Sequence, residues 1–246
     1  MKVLFLIVAR GGSKGIPGKN LKKIASIPLV GWKAISARRS RYCHRLIIST
    51  DSRQIQAAAR RYGAEVPFTR PKKLATDTAK SADVIWHAMG WLEDEGQPLP
   101  DAIMLLEPSS PFTRPSDYDR AIALMKRKKA DVVLGLRRIE TATRFVGPMQ
   151  HGGRLAGLVG KIASQSRLRR QENEPEFTPN GALYLFRWDY FKKHHSLYAD
   201  GRKAFGVVMD RYHSLEIDEP GDLAWAEFLV KRGLIDVREW KKGRSK

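Results

Sequence analysis

The 246-residue sequence is 42% hydrophobic and carries 45 Lys and Arg residues against 26 Asp and Glu residues, a formal net charge of +19. This composition excludes global disorder, no apolar run approaches the ~20 residues that span a bilayer, and a single cysteine excludes an internal disulfide framework. The excess of positive charge favours polyanionic partners such as nucleotides, nucleic acid or anionic membranes.

Short apolar runs alternate along the chain with segments of helical periodicity. The predicted strands cover residues 3–8, 46–50, 102–106, 131–136, 182–186, 205–209 and 215–218. The predicted helices cover residues 29–40, 52–62, 81–95, 115–129 and 220–233, with Asp51 as the N-cap of the second. The first apolar run lacks the cleavage site of a signal peptide, so we expect a cytoplasmic protein.

Strands separated by helices of this length predict a doubly wound, mostly parallel sheet, in which ligands bind at the carboxyl ends of the strands. Residues 137–178 break this pattern, because they are rich in Arg, Gly, Gln and Glu and lack long apolar periodicity. We interpret them as a flap, hairpin or subunit-contact arm inserted into an α/β domain of residues 1–136 and 179–240. A basic tail, residues 241–246, follows.

A glycine-rich, basic loop directly follows the first predicted strand. It matches neither the G-x-x-x-x-G-K-[ST] phosphate loop nor the G-x-G-x-x-G dinucleotide fingerprint. Its backbone N–H groups and cations are what a triphosphate needs, and they favour a nucleotidyltransferase loop over a basic turn without a ligand. The candidate nucleotide-binding residues of the loop are Arg10, Gly11, Gly12, Ser13, Lys14, Lys19 and Asn20.

Two carboxylates stand two residues apart on the last predicted strand. The period of a strand places Glu216 and Asp218 on one face, where they repel each other unless a cation lies between them. Mg²⁺ commonly binds one or two carboxylates together with phosphate oxygens. The pair therefore predicts a magnesium site, the alternative being an exposed Glu216 and an Asp218 that caps the following helix.

Other polar segments stand at candidate site positions. Glu107 begins a proline-rich turn after the third strand. Asp77 precedes a helix that it could cap, or it could contact a ligand. Asn180 lies in a Pro-Asn-Gly segment that is by default a turn. In the insertion, the Arg170 guanidinium, beside Gln171, could hold a carboxylate, although a solvated surface group is the alternative.

These motifs, in this order, resemble those of the acylneuraminate cytidylyltransferases, the CMP-sialic acid synthetase family. The likeness extends from residue 9 to residue 218, nearly the whole chain. The resembling segments are residues 9–15, 19–20, 49–51, 76–78, 107–111, 179–182 and 216–218.

The resemblance implies a Rossmann-like domain with a protruding dimerisation region, a homodimer, and Mg²⁺-dependent transfer of CMP from CTP to a 2-keto-3-deoxy sugar acid. It implies that Arg10, Lys19 and Asp218 are catalytic and that Asp218, with Glu216, holds the metal. The other loop residues and Asp77 would bind CTP. The implied sugar-binding residues are Glu107, Arg170, Gln171 and Asn180.

Three positions depart from the family pattern. Glu216 stands where sialic-acid enzymes usually carry Asp, Glu107 where they carry Gln, and Thr178 replaces an Arg. The fold and reaction class survive these changes, whereas the identity of the sugar is left open among sialic-, legionaminic- and pseudaminic-type acids.

Three other functions compete with this interpretation. One is another nucleotidyltransferase, acting on 3-deoxy-octulosonate or a sugar phosphate, and one is a catalytically inert homologue. The third is a basic nucleic-acid-binding protein, which leaves the paired carboxylates unexplained. We therefore expect small-molecule substrates, no membrane insertion and no nucleic-acid partner.

Overall fold

The computed structural model describes residues 1–96, 98–164 and 174–241. The strands are Val3–Val8 (β1), Lys23–Ile24 (β2), Ile27–Pro28 (β3), Cys43–Ser49 (β4), Ala102–Leu106 (β5), Val132–Arg138 (β6), Phe177–Arg187 (β7) and Ala204–Val208 (β8). The α-helices are Leu29–Arg39 (α1), Arg53–Arg61 (α2), Ser81–Asp94 (α3), Pro115–Lys128 (α4), Ala156–Ser164 (α5), Trp188–His194 (α6), Pro220–Lys231 (α7) and Arg238–Lys241 (α8).

Six strands form one sheet in the order β4-β1-β5-β7-β6-β8, and β2 and β3 form a separate small hairpin. Strand β7 runs antiparallel to β5 and β6, whereas the other neighbouring strands of the large sheet are parallel. The predicted α/β class with a mostly parallel sheet is thus confirmed. The carboxyl ends of β1, β4 and β5 meet at one edge, and β7 begins at that edge because it runs the other way.

Alternate residues of the central strands face two helical layers. One face of β1 packs against α1, α2 and α4, and the other packs against α3 and α6. Because the sheet is covered on both sides, its strands are apolar almost throughout, which is why the central runs were recognisable in the sequence. In the part of the chain that the structure describes, no helix is long and apolar enough to cross a membrane.

A third apolar cluster lies beside the sheet, among the hairpin, α1, α7 and α8. Ile16 of the glycine-rich loop and Ile217 of the acidic segment are both buried in it, at 4% and 0% exposure. Both side chains pack in the same apolar cluster, and their burial is favourable because it removes apolar surface from water. This packing holds the loop near the amino terminus next to a segment some 200 residues later in the chain.

The structure corrects four local predictions. Residues 215–218 form no strand, although the backbone N–H of Ile217 donates to the carbonyl of Ser109 at 2.8 Å. The side chain of Ser52, not that of Asp51, accepts the capping hydrogen bond of α2. Helix α3 begins after Lys80, so Asp77 is not its cap.

The fourth correction concerns the Pro-Asn-Gly segment, which is not a turn but part of β7. Gly181 has a φ of 62°, and the register of β7 with β6 shifts between Leu134 and Leu136. This irregularity at the start of an inner strand lets β7 continue where an isolated Pro-Asn-Gly sequence suggests a reversal.

Residues 137–178 contain the ends of β6 and β7, two short 3-10 turns and helix α5. Six large apolar side chains of this segment are exposed in the described part: Phe145, Val146, Met149, Leu155, Val159 and Phe177. Of the predicted basic tail, residues 242–246 lie outside the described residues.

Candidate active site

A polar cavity of about 490 Å³ opens at the carboxyl edge of the sheet, beside the end of β1. Eight of the residues predicted from the sequence to form the site line it: Arg10, Ser13, Lys14, Lys19, Asn20, Asp77, Glu107 and Asp218. The position agrees with the rule that doubly wound sheets bind ligands beyond the carboxyl ends of their strands.

The glycine-rich loop is anchored at both ends by side chains. The backbone N–H of Gly11 donates to Asp51 Oδ1 at 2.8 Å, which explains why Asp51 is not free to cap α2. At the other end, the amide of Asn20 donates to the carbonyl of Arg10 at 2.9 Å. Gly12 lies in the open part of the loop, with nothing within 4 Å of the place of a Cβ atom.

Asp77 joins two cations of the loop. Its carboxylate pairs with Arg10 and, at 2.9 Å, with Lys14 Nζ. Hydrogen bonds from Lys14 and then from Arg10 hold the pKa of Asp77 below its ordinary value. Asp77 therefore orients the two cations at the mouth of the cavity, where they can meet an anion.

The loop and the acidic segment touch directly. Lys19 Nζ donates to Asp218 Oδ1 at 2.9 Å across 199 residues of sequence. A Cβ atom on Gly15 would lie 2.3 Å from the carbonyl oxygen of Asp218, so only glycine allows this approach. The two patches therefore flank one cavity.

Glu216 lies beside Asp218 but is not among the cavity-lining residues. Its carboxylate fits against Gly181, where a Cβ atom would lie 2.2 Å from Glu216 Oε1. Burial, and after it the charge of Asp218, raises the pKa of Glu216. A divalent cation would relieve this destabilisation of the charged form.

The side chains available as ligands limit the kind of metal ion that could bind at the site. Among the residues that the structure describes, no three His, Cys, Asp or Glu side chains come together as a ready-made metal cage. Asp218 and Glu216 alone nevertheless fit Mg²⁺, which usually takes one or two carboxylates and completes its octahedron with water and phosphate oxygens.

Glu107 is a largely buried carboxylate at the cavity. Burial, and after it the neighbouring Glu216, raises the pKa of Glu107 to about 7. Such a group is poised to accept a hydrogen bond from a hydroxyl or amide N–H, because a donor compensates for the water that burial removed.

The remaining predicted sugar-binding residues divide into two groups. Asn180 is fully buried, and its amide donates to Ser214 Oγ at 3.0 Å and to Met209 Sδ at 3.2 Å. Its side chain thus faces the interior and positions β7 instead of lining the cavity. Arg170 and Gln171 lie outside the described residues.

Two basic residues near the site are not marked by any sequence pattern. Arg70 lines the cavity at 5% exposure and donates through Nε to Ser49 Oγ at 3.0 Å, and its burial lowers its pKa to about 10. Lys33 is buried in α1. Neither stands in a recognisable motif, and in a chain with 45 basic residues no local signal separates them from surface cations.

Comparison with known proteins adds an independent line of argument. A family model described as cytidylyltransferase matches residues 4–198. The CMP-N,N'-diacetyllegionaminic acid synthase of Legionella pneumophila is 32% identical over 94% of this chain and 97% of that protein. The N-acylneuraminate cytidylyltransferase of Escherichia coli is 29% identical over 92% of this chain, which corresponds to 51% of the larger protein.

Solved structures share the fold at lower identity. A CMP:2-keto-3-deoxy-manno-octonic acid synthetase complexed with CTP superposes with a TM-score of 0.67 at 17% identity, over 94% of this chain and 99% of that one. The 4-diphosphocytidyl-2C-methyl-D-erythritol synthase of Anaerococcus prevotii has a TM-score of 0.61 at 12% identity, over 94% and 96% of the two chains.

Proposed function

The chain belongs to the cytidylyltransferase family, and from this premise we propose that it transfers CMP from CTP to a nonulosonic acid with release of pyrophosphate. The sugar acid is a 2-keto-3-deoxy acid of the sialic, legionaminic or pseudaminic type. The observation that carries the proposal is the contact between Lys19 and Asp218, which brings a phosphate-binding loop and Asp218 of the acidic pair to one cavity.

The triphosphate of CTP is bound by the glycine-rich loop. Arg10 and Lys14, which Asp77 holds side by side, and Lys19 supply the positive charge. Ser13 and Asn20 lie at the same cavity and supply uncharged polar groups. Charge neutralisation by groups that are already in position avoids the cost of reorganising solvent when the phosphate is attacked.

The reaction is an in-line attack by the anomeric hydroxyl of the sugar on the α-phosphorus of CTP. The new bond joins the anomeric oxygen to phosphorus, the bond to the bridging oxygen breaks, and pyrophosphate leaves. Lys19 and Arg10 stabilise charge on the reacting phosphate, and the site holds nucleophile and phosphate in line. The hydroxyl proton passes to solvent or a neighbouring carboxylate.

Asp218, assisted by Glu216, would hold a Mg²⁺ ion. When bound, such an ion would supply positive charge to the phosphate and lower the pKa of a coordinated hydroxyl. Lys19 holds the Asp218 carboxylate at the cavity. The Glu216 carboxylate packs against Gly181, and this contact limits the movement of the Glu216 side chain. On the sugar side, Glu107 accepts hydrogen bonds, and Arg170 and Gln171 are assigned to the sugar carboxylate.

Alanine substitutions of Asp218 and Lys19 test the mechanism. We expect Asp218→Ala and Lys19→Ala each to lower kcat by roughly 10²-fold or more, because each removes a positioned charge from the reacting phosphate. Pyrophosphate release is measured with CTP, Mg²⁺ and a panel of sugar acids, with chelation by EDTA expected to abolish it. Wild-type rates in both variants would contradict the mechanism.

Exposed residues of the same types provide matched controls. Lys23 and Asp94 lie on the surface outside the cavity, so Lys23→Ala and Asp94→Ala should retain wild-type rates. Thermal-shift titration of the wild type with CTP, UTP, GTP and ATP then separates this function from other nucleotidyltransferases, since only CTP should stabilise it strongly with Mg²⁺.

The proposed enzyme works as a homodimer in the cytoplasm. The exposed apolar side chains within residues 137–178 support a subunit contact there, since apolar patches of this kind on soluble proteins commonly mark interfaces.

A further inference from the structure

Lys33 is a lysine in the interior of the protein. Its side chain is 0% exposed on α1, although lysine is almost never fully buried unless it is paired. Burial lowers its pKa to about 7, against the opposing influence of Glu107, Asp117 and Glu216. A residue this costly to bury calls for a physical reason for its position.

The hydrogen bonds of Lys33 do not by themselves explain a charged group. Its Nζ donates to Thr113 Oγ1 at 2.8 Å and to the carbonyl of Ala182 at 3.0 Å, and both partners are uncharged. The Thr113 hydroxyl in turn donates to the carbonyl of Ser110 at 3.0 Å. A neutral donor of similar shape could satisfy these acceptors.

These two bonds nevertheless connect Lys33 to the turn that carries Glu107 and to the strand against which Glu216 packs. Thr113 lies in the turn that begins at Glu107, after β5. Ala182 follows Gly181, the residue against which the carboxylate of Glu216 fits. The buried ammonium group therefore bonds the turn that carries Glu107 and the strand that Glu216 packs against.

The charges around Lys33 indicate which acids need it. Asp117 already pairs with Arg114 and Arg120 at 3.2 Å and 2.6 Å. Among the described residues, no ion pair reaches the carboxylate of Glu107 or Glu216, and burial raises the pKa of both. Lys33 opposes the rise in the pKa of Glu107 more than any other cation does, whereas Arg137 and Lys19 act more strongly than Lys33 on Glu216. The nearby Glu107 and Glu216 thus lack a direct partner, and a buried cation behind them reduces their repulsion.

We propose that Lys33 is a positioning residue of the sugar subsite, a buried counter-charge that keeps the carboxylate of Glu107 in place at the cavity despite the neighbouring Glu216. It does not touch substrate. Instead, it allows a carboxylate at residue 107 to present its oxygens to hydroxyl and amide N–H groups of the sugar acid. The part of this inference that concerns the sugar rests on the proposed function.

A double-mutant cycle on the substrate-free protein tests the electrostatic part. Lys33→Gln retains a hydrogen-bond donor but removes the charge, and we expect it to lower the Tm by several degrees, about 4 °C or more. Glu107→Gln in the Lys33→Gln background should recover much of that loss, because the acid that needed the cation is gone. Additive effects of the two substitutions would overturn the proposal, since they would leave Lys33 as a donor to Thr113 and Ala182 only.

The double variant keeps the test informative if Lys33→Gln alone does not fold. If Lys33→Gln does not fold but Lys33→Gln/Glu107→Gln does, that rescue supports the proposal, whereas failure of both contradicts it. Ser36→Ala is the matched control, because Ser36 is a buried polar residue on the same helix and contacts Tyr118 Oη at 3.1 Å. Its effect should add to that of Glu107→Gln without coupling.

Steady-state kinetics tests the positioning role. With whichever of N-acetylneuraminic acid and N,N'-diacetyllegionaminic acid the wild type uses better, Lys33→Gln should raise the KM for the sugar acid on the order of 10-fold and leave the KM for CTP nearly unchanged. An equal rise in both KM values would contradict it. Coupling in the unfolding cycle without turnover of any sugar acid would count against the proposed function alone.

Discussion

At the residue scale, the contact between the loop and the acidic segment depends on a missing side chain. Gly15 lies against the carbonyl oxygen of Asp218, and a Cβ atom there would be 2.3 Å from that oxygen. The obstacle is backbone, so it cannot rotate away as a flexible side chain could. Lys19 can therefore approach Asp218 this closely only because residue 15 has no Cβ atom.

Gly15→Ala should consequently force the two segments apart. We expect it to lower the free energy of unfolding by about 2 kcal/mol, as overpacking does, and to reduce kcat for CMP transfer. Urea unfolding and the pyrophosphate assay measure the two effects. Gly12→Ala is the control for stability, because nothing lies within 4 Å of its Cβ position, and it should stay within about 0.5 kcal/mol of wild type. Equal stability of all three proteins would refute the argument.

At the scale of elements, helices α4 and α7 begin with the same capping arrangement, but their capping aspartates stabilise different parts of the protein. Each has proline at its first turn and an aspartate two residues later, Asp117 in α4 and Asp222 in α7. Asp117 accepts from the backbone N–H of Arg114 at 3.0 Å and is fully buried. Asp222 accepts at 2.9 Å from the backbone N–H groups of Asp218 and Glu219, so it holds the segment that carries Asp218, the proposed metal-binding residue.

The two aspartates should therefore differ in what their loss affects. Asp117→Ala removes a cap and leaves two guanidinium groups without their buried partner, so we expect a loss of about 3 kcal/mol of stability. Asp222→Ala removes a more exposed cap, with an expected loss of about 1 kcal/mol, yet it should reduce kcat more because it frees Asp218. Urea unfolding and kinetics on both variants make the comparison. A larger kcat defect in folded Asp117→Ala would contradict it.

At the scale of the whole molecule, the segment between β6 and β7 stands out from the rest. Met149 and Val159 are 72% and 58% exposed, and Val159 lies on α5. Exposed apolar patches commonly mark interfaces, and a second copy of the chain is the partner that the proposed dimer provides.

Charge placed in this segment should separate the subunits. The wild-type protein is expected to have twice the mass of one chain in sedimentation or light-scattering measurements. Met149→Glu/Val159→Glu should shift it to the mass of one chain, because burying a carboxylate in an apolar contact is unfavourable. Lys128→Glu, an exposed substitution at the end of α4, controls for the change in charge. A wild type with the mass of one chain would contradict the proposed dimer.

Much of the fold was determined locally by the sequence. Strands β1 and β5 match their predicted bounds because burial on both faces makes them continuous apolar runs, whereas β4 and β7 begin at residues 43 and 177, before their predicted starts at residues 46 and 182. Helices α1 to α4 and α7 begin within about a residue of their predicted starts because proline and polar residues mark them. The glycine-rich loop was identifiable because glycines and cations must be neighbours in sequence to form an anion-binding turn.

Only the tertiary structure decided which of the predicted groups meet. The sequence predicts Asp51 as a helix cap, but Asp51 accepts from Gly11. It predicts a strand at residues 215–218, but these residues are held by Ser109 and by the burial of Ile217. Lys33 reaches Ala182 across 149 residues, and Lys19 reaches Asp218 across 199. Local patterns carry periodicity and turn chemistry, whereas such contacts depend on how distant segments pack, and no pattern within one segment records its partner.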